Sequence, residues 1–189
     1  MLKKINKIFC KRFYSPEKYA RTLGVKIGSG CFIGIKDWGA EPYLIEIGDN
    51  CAITAGVKIF THGGARVLRH KYPDFDCFGK VIIGNYVYLG NNTLVMPGCT
   101  IGNNVLCAAG SVVTKSIPSG WVVAGNPAKF VCTIEEFEIK NLKYNTHSKM
   151  MGPEDKKSLL LSMDETLFIK KQQLRKEWTR ILGFPSFLP

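Results

Sequence analysis

The chain has 189 residues, enough for one domain with a hydrophobic core. Hydrophobic residues make up 46% of it, yet no apolar run reaches the roughly 18–20 residues that cross a bilayer. The basic N-terminus lacks the apolar stretch of a signal peptide, so we expect a cytoplasmic protein. The net charge of +11 is divided between both ends of the chain. Because no zinc finger, helix-turn-helix or RNP motif accompanies this charge, we expect no nucleic-acid partner.

The first predicted element is a helical cap over residues 1–24. Apolar residues recur there at helical spacing, at Leu2, Ile5, Phe9 and Phe13. Ser15-Pro16-Glu17 has the composition of a helix start, with a capping hydroxyl, an early proline and an acid in the first turn. We expect the helix to cover unpaired strand edges. The alternative is weak contact of its basic face with the inner face of the membrane.

A six-residue repeat dominates residues 25–132. Its aliphatic positions are Ile27 and Ile33 and, after an irregular insert over 35–44, Ile47, Ile53, Ile59, Ile83, Leu89, Val95, Ile101, Cys107 and Val113. A second set of small residues lies four positions after them, namely Cys51, Val57, Val87, Thr93, Cys99, Val105 and Ser111. Both sets share the parity of a strand and so point to one face. Three hexads form a triangular coil, and coils stack about 4.8 Å apart. The pattern predicts an all-β solenoid.

Glycine follows several hexad residues, with Asp or Asn often behind it, as in Gly48-Asp49-Asn50. We expect these glycines to supply the turn conformations. Cysteine occupies core positions of the repeat at Cys31, Cys51, Cys99 and Cys107, and no CxxC pair occurs. We therefore interpret the cysteines as small hydrophobic core residues and expect no zinc site.

The repeat is interrupted between residues 61 and 80, and His62 lies at the start of this loop. After residue 132 the repeat ends, and residues 133–189 form a basic extension that we expect to be helical. Ser162-Met-Asp-Glu165 resembles a capping box. An apolar stripe follows at Leu167, Leu174, Trp178 and Ile181, and Gly183 and Pro185 end it. We expect this helix to pack on the solenoid or on a neighbouring subunit.

The hexads, together with the segment IGNNVLCAAGSVVTKSIPSGWVVAGNPAKFV, resemble the hexapeptide-repeat acyltransferases. IFTHGG and the following YPDFDCFGK are similar to the galactoside, maltose, colanic acid and capsule O-acetyltransferase branch. The resemblance implies a left-handed parallel β-helix, a homotrimer, acetyl-CoA as co-substrate and no metal. It also implies that His62 is catalytic and that Lys129 lies near the cofactor phosphates. Further residues match the acetyl-CoA groove: Asn91, Ala109, Thr114 and Lys115.

Acetyl transfer to a hydroxyl needs a base, and histidine exchanges protons near neutral pH. We therefore expect His62 to deprotonate an acceptor that attacks acetyl-CoA directly, rather than His70, which lies in a basic cluster, or His147 in the tail. The carboxylate that orients His62 stays open between Asp37, Glu41, Asp74 and Asp76. For the acceptor, Asp74 and Asp76 are candidate contacts, and Trp38 and Tyr43 could stack on a sugar ring.

The leading hypothesis is an O-acetyltransferase acting on a sugar of a surface polysaccharide or its precursor. One alternative keeps the scaffold but changes the acceptor to a nucleotide-linked amino sugar, an antibiotic or serine. A metalloenzyme of this fold would need three histidines around a metal, and the chain has only three in all, one of them in the tail. A non-enzymatic alternative is a scaffold held at the membrane by its basic termini.

Overall fold

The computed structural model describes residues 9–173, which fall into two compact units divided after Lys140. The helices are α1 (Pro16–Thr22), α2 (Ile134–Leu142) and α3 (Pro153–Ser162). Short 3-10 helices lie at Pro42–Leu44, Ala65–Val67, Ser148–Met150 and Glu165–Leu167. The strands are β1 (Lys26–Ile27), β2 (Phe32–Ile33), β3 (Ile45–Ile47), β4 (Ala52–Ile53), β5 (Lys58–Ile59), β6 (Val81–Ile83), β7 (Tyr88–Leu89), β8 (Leu94–Val95), β9 (Thr100–Ile101), β10 (Leu106–Cys107), β11 (Val112–Val113), β12 (Trp121–Ala124) and β13 (Lys129–Thr133). None of these helices is long and apolar enough to cross a bilayer.

The strands form three sheets, in the orders β1-β3-β6-β9, β13-β12-β10-β7-β4-β2 and β11-β8-β5. All pairings are parallel except that of β12 with β13, which is antiparallel and ends the second sheet. Hexad residues pair with hexad residues of the next coil, as in Ile83 with Ile101 and Leu89 with Cys107. Successive strands visit the three sheets in turn, so the chain winds as a parallel β-helix. The predicted solenoid is confirmed.

The interior is filled by the two predicted sets of residues. Every hexad side chain from Ile47 to Val113 is at most 5% exposed, and every residue of the second set is at most 3% exposed. The two buried hydroxyls of that set are satisfied within their own corners. Thr93 donates to the Gly90 carbonyl at 2.7 Å, and Ser111 donates to the Ala108 carbonyl at 2.6 Å. Burial of aliphatic area therefore stabilises each coil without leaving these polar groups unpaired.

The corners differ from the prediction in one respect. Left-handed φ values occur instead at other corner residues, among them Asn50, Asn92 and Asn104, at 55°, 60° and 52°, and Gly56 and Gly110, at 74° and 72°. The glycines that follow the hexad residues are not in that region, so the expectation that they supply the turn conformations is wrong. They are needed because stacked coils approach closely. A Cβ at Gly48, for example, would lie 2.7 Å from the Gly84 carbonyl oxygen of the next coil.

The cysteines are free thiols, and three of them lie in the core: Cys51, Cys99 and Cys107. Cys31 is half-buried and Cys77 is exposed. Burial raises the pKa of the Cys107 thiol to about 12. Core cysteine therefore stays protonated and acts as a small hydrophobic residue, as predicted.

Within the predicted helical cap the structure describes helix α1. Ser15 caps α1 by accepting a hydrogen bond from the Lys18 N–H at 3.2 Å. Arg21 of this helix donates to the Gly28 carbonyl at 2.8 Å, and Ala20 is buried in the core at the first coil. Leu2 and Ile5 lie outside the described residues. Phe9 and Phe13 are more than half exposed and their rings contact each other, so the predicted apolar stripe is not buried there.

The C-terminal extension contains helices, but not where the capping motif placed them. Ser162 is the last residue of α3, so the prediction that it begins a helix is wrong. Asp164 caps the 3-10 helix Glu165–Leu167 by accepting from the Thr166 N–H at 2.8 Å. A reciprocal capping box that was not predicted begins α2, where Thr133 and Glu136 each accept a hydrogen bond from the other's backbone N–H. Leu174, Trp178, Ile181, Gly183 and Pro185 lie outside the described residues.

Candidate active site

His62 lies just beyond β5, where the repeat is interrupted. Its Nδ1 is 2.6 Å from Oε2 of Glu41, and the same oxygen accepts a hydrogen bond from the Thr61 hydroxyl at 2.8 Å. Thr61 is buried, the Glu41 side chain is 16% exposed and the His62 side chain is 43% exposed. The imidazole is thus held through Nδ1, while Nε2 has no partner among the described residues. In a neutral imidazole, a carboxylate beside Nδ1 favours the tautomer that has the proton on Nδ1 and the lone pair on Nε2.

The insert between β2 and β3 explains why Glu41 reaches His62. On the first coil, β1 and β2 belong to the other two sheets, and the sheet that contains β5 has no strand there. The insert takes that place, because Gly39 lies against the Ile59 carbonyl of β5. Glu41 precedes Thr61 by 20 residues. This is the same separation that joins Lys26 to Glu46 on neighbouring coils. Glu41 therefore lies one coil away from Thr61, at the same corner.

A cavity of about 240 Å³ opens beside the imidazole. It is lined by Glu41, His62, Gly63, Gly64, Ala65, Arg66, Arg69, Asp76 and Phe78. The loop that forms it begins and ends at neighbouring residues. His62 and Phe78 form an antiparallel bridge, with their rings 5.8 Å apart, and the Gly79 N–H donates to the Thr61 carbonyl at 2.7 Å. The closed base of the loop fixes His62 relative to the cavity wall.

Arg69 braces the loop internally. Its guanidinium forms an ion pair with Asp76 at 3.3 Å, and its Nε donates a hydrogen bond to the Phe75 carbonyl at 3.0 Å. Gly64 adopts a φ of 76° before the 3-10 helix Ala65–Val67, a conformation that glycine tolerates without strain. A Cβ at Gly63 or Gly64 would meet nothing within 4 Å. The two glycines therefore leave open space for reacting groups beside His62.

The residues predicted for the cofactor groove are all exposed, but they lie at two corners of the coil. Asn91 and Ala109 stack on successive coils, where the Gly110 N–H donates to the Asn91 carbonyl at 2.8 Å. Thr114 and Lys115 follow β11, at the same corner as His62 but two coils further along. Lys129 begins β13, directly after Ala128, whose N–H donates to the Val112 carbonyl at 2.8 Å. Lys115 and Lys129 thus both lie next to β11.

The four residues predicted to contact the acceptor differ in their exposure and in whether they line the cavity. Trp38 is 1% exposed and belongs to the core, so the expectation that it stacks on a sugar is wrong. The insert packs this ring inward to close the first coil, and its indole N–H is buried without a partner among the described residues. Tyr43 is 61% exposed but does not line the cavity. Asp74 also lies outside the cavity, whereas Asp76 lines it.

Of the four carboxylates considered for His62, the geometry brings Glu41 to the imidazole. Asp37 instead faces the Gly39 N–H, at 3.5 Å. His70 faces the Val67 carbonyl and is not part of the cavity. Arg66, Arg69 and Phe78 also line the cavity and were not predicted as site residues. The 20-residue coil spacing could have selected Glu41, but nothing periodic marks the other three.

No group of three or more His, Cys, Asp or Glu side chains within residues 9–173 is arranged to hold a metal ion.

Comparisons with known proteins agree with the repeat. A family model described as bacterial transferase hexapeptide (six repeats) matches residues 80–115. Protein CapG of Staphylococcus aureus is 44% identical over 165 residues, which cover 85% of this chain and 95% of CapG. The chain belongs to the hexapeptide-repeat transferase family. This transferase is therefore an enzyme of the acetyltransferase class, and its family implies the left-handed form of the β-helix.

Two further similarities are informative. Galactoside O-acetyltransferase of Escherichia coli (strain K12) is 31% identical to the transferase over 124 residues, which cover 64% of this chain and 60% of that protein. A solved structure of galactoside acetyltransferase in complex with coenzyme A matches with a TM-score of 0.54 and 21% identity, over 73% of this chain and 82% of that one. The structural likeness shows a shared fold.

Proposed function

We propose that the chain is an acetyl-CoA-dependent O-acetyltransferase that acts on a sugar hydroxyl of a surface polysaccharide or its precursor, with His62 as general base. The observation that carries this proposal is the contact of Glu41 with Nδ1 of His62, which leaves Nε2 as a proton acceptor beside a cavity. The names of the relatives support the acceptor class, because one similar protein is a galactoside O-acetyltransferase.

The proposed reaction accounts for each proton. Acetyl-CoA supplies the thioester carbonyl carbon that the acceptor oxygen attacks. Nε2 of His62 takes the hydroxyl proton as the new C–O bond forms, and Glu41 stabilises the resulting imidazolium through Nδ1. As the C–S bond breaks, His62 returns the proton to the departing sulfur. A positioned base of this kind contributes on the order of 10²- to 10⁴-fold to the rate.

The proposed binding groove for acetyl-CoA includes exposed lysine residues next to β11. Lys115 and Lys129 make no ion pair with a described residue, so both ammonium groups are available to phosphate oxygens. Asn91 and Ala109 lie at a different corner from His62, and one chain alone does not bring them to its own imidazole. In the homotrimer predicted from the family, that corner of one copy would lie against the His62 corner of the next. We therefore place the donor site between copies of the chain.

We also propose a division of the chain into three parts and a contact with the membrane. Residues 25–132 form the catalytic domain, with 61–80 as its active-site loop. Residues 1–24 act as a cap and 133–189 as an extension. Weak contact of the basic N-terminus with the inner face of the membrane is a further prediction, and its first eight residues lie outside the described range.

Two measurements test the function. Acetyl-CoA at about 100 times its Kd should stabilise the protein by about 2.7 kcal/mol, visible as a rise in Tm. Release of free thiol from acetyl-CoA should then depend on a saccharide acceptor and be faster with sugars that carry no amino group than with amino sugars or serine. A protein whose Tm does not respond to acetyl-CoA, and which releases no thiol with any acceptor, would refute the proposed function.

A further inference from the structure

One charged side chain that lines the cavity has no oppositely charged partner among the other lining residues. Arg66 lines the same space as His62, and its guanidinium makes no hydrogen bond or ion pair with any described residue. The other charged groups there are already engaged. Arg69 pairs with Asp76, and Glu41 accepts from Thr61 and faces His62. Within residues 9–173, Arg66 is thus the charged cavity residue whose side chain has no hydrogen-bond or ion-pair partner.

The backbone around Arg66 fixes where this charge starts. Arg66 is the middle residue of the 3-10 helix Ala65–Val67, and the preceding Ala65 is only 6% exposed. The Val67 N–H donates to the Gly64 carbonyl at 3.2 Å, and the Leu68 N–H donates to the Ala65 carbonyl at 3.0 Å. A buried anchor and a hydrogen-bonded turn therefore hold the Arg66 backbone close to His62, while its long side chain stays free to meet a ligand.

We propose, taking the proposed function as given, that Arg66 binds an oxyacid group of the acceptor and that the acceptor is an acidic sugar. A guanidinium presents a planar fork of N–H donors that matches the paired oxygens of a carboxylate or a phosphate. In water an unpaired arginine costs little, but in a substrate cavity it selects for a group that can accept from it. A sugar that carries a carboxylate or a phosphate provides such a group on the same ring as the reacting hydroxyl.

The size of the cavity supports a single sugar unit. Sites for drug-sized ligands are roughly 300–1,000 Å³, and this cavity is about 240 Å³. Phe78, whose ring is 54% exposed, gives the cavity an apolar wall, while the pairing of Asp76 with Arg69 keeps that carboxylate from repelling an anionic ligand. The net charge of +11 favours the approach of an anionic acceptor as well.

The test uses three acceptors that differ only at C6: glucose, glucuronate and glucose 6-phosphate. With acetyl-CoA as donor, kcat/KM is measured for the wild type, Arg66→Ala, Arg66→Lys and the control Lys71→Ala. Lys71 lies in the same loop but does not line the cavity, and its ammonium group rests near the Tyr72 ring. Lys71→Ala thus removes an equal charge away from the site. Circular dichroism checks that each variant is folded.

We expect the wild type to prefer one or both acidic acceptors over glucose. Arg66→Ala should lower kcat/KM for the preferred acidic acceptor roughly 10- to 100-fold, as expected for a lost hydrogen bond between charged groups. Glucose should be unaffected, Arg66→Lys should be intermediate, and Lys71→Ala should match the wild type. Comparison of glucuronate with glucose 6-phosphate then shows whether the site prefers a carboxylate or a phosphate. An equal loss on glucose and on the acidic acceptors, or a wild type that prefers glucose, would overturn the inference.

The failure of the proposed function has a separate signature. If the Tm of the wild type does not respond to acetyl-CoA and no acceptor, these three sugars included, gives thiol release, the O-acetyltransferase assignment fails. Saturation-transfer NMR with glucuronate and glucose 6-phosphate then decides the role of Arg66. Binding that disappears in Arg66→Ala supports an oxyacid site, whereas equal binding by the wild type and the variant contradicts it.

Discussion

Replacement of Glu41 by Gln should separate the charge behind His62 from the hydrogen bonds it accepts. The amide oxygen of glutamine can take the place of Oε2 and still accept from Thr61 and from Nδ1 of His62. The variant then loses only the negative charge 2.6 Å from the imidazole. That charge matters most when His62 has taken the acceptor proton and is positive. Folding should be little affected, since shape and hydrogen bonding are retained.

The magnitude follows from the exposure of the pair. Unit charges 4 Å apart interact by about 4 kcal/mol at an effective dielectric of 20. Because the His62 side chain is 43% exposed, solvent screens part of this, and a charged hydrogen bond of about 1.5–3 kcal/mol is the better guide. This range corresponds to a roughly 10- to 150-fold fall in kcat.

The assay is thiol release from acetyl-CoA at saturating acceptor, with Tm measured in parallel. Glu41→Gln should lower kcat and leave the KM for acetyl-CoA unchanged, because the carboxylate acts on His62 and not on the donor. Asp37→Asn is the matched control, an exposed carboxylate of the same insert that faces Gly39 instead of His62. A Glu41→Gln enzyme with kcat within twofold of the wild type would refute the reasoning, as would an equal loss in Asp37→Asn.

Three further outcomes are expected. His62→Ala should lower kcat by about 10²- to 10⁴-fold while the shift of Tm with acetyl-CoA persists, because the base is lost but the donor groove is intact. Ile101→Ala should cost about 2–5 kcal/mol in the free energy of unfolding measured with urea, whereas Thr100→Ala on the exposed face of the same strand should change it by about 0.5 kcal/mol or less. Since burial raises the pKa of the Cys107 thiol to about 12, this thiol should resist alkylation at pH 8 until the protein is unfolded, while exposed Cys77 reacts at once.

The same pKa gives a direction for the pH dependence of stability. Above pH about 8.5 an unfolded cysteine ionises, whereas folded Cys107 keeps its proton until about pH 12. The folded state therefore binds more protons in this range, and the free energy of unfolding should fall as the pH rises from about 8.5. Stability that increases between pH 8 and pH 10, or fast alkylation of Cys107 in the folded protein, would contradict the buried position.

The repeat was sufficient to predict the scaffold because its contacts are local. A hexad residue such as Leu89 pairs with its equivalents one coil before and one coil after, so spacing alone determines its neighbours. The glycines were misinterpreted for a related reason. The sequence shows a glycine at Gly48. It does not show whether glycine is needed there for a left-handed φ or for the close approach of the next coil.

The site could be predicted only in part. His62 marks the interruption, and the 20-residue coil spacing would have chosen Glu41 over the other three carboxylates. Trp38 could not be assigned, because an irregular insert gives no parity that separates a buried ring from an exposed one. The positions of Arg66 and Phe78 in the site could not be predicted from the sequence either. They come together through a loop whose shape depends on contacts within it, such as the pairing of Arg69 with Asp76.

The most direct test of the central claim is to identify the product made from acetyl-CoA and a saccharide acceptor by the wild type and by His62→Ala. We predict an acetyl ester on the sugar, detected by mass spectrometry, in the wild-type reaction and almost none in the His62→Ala reaction. Release of coenzyme A without an acetylated sugar, or equal amounts of the ester from both proteins, would contradict the assignment of His62 as the base of a sugar O-acetyltransferase.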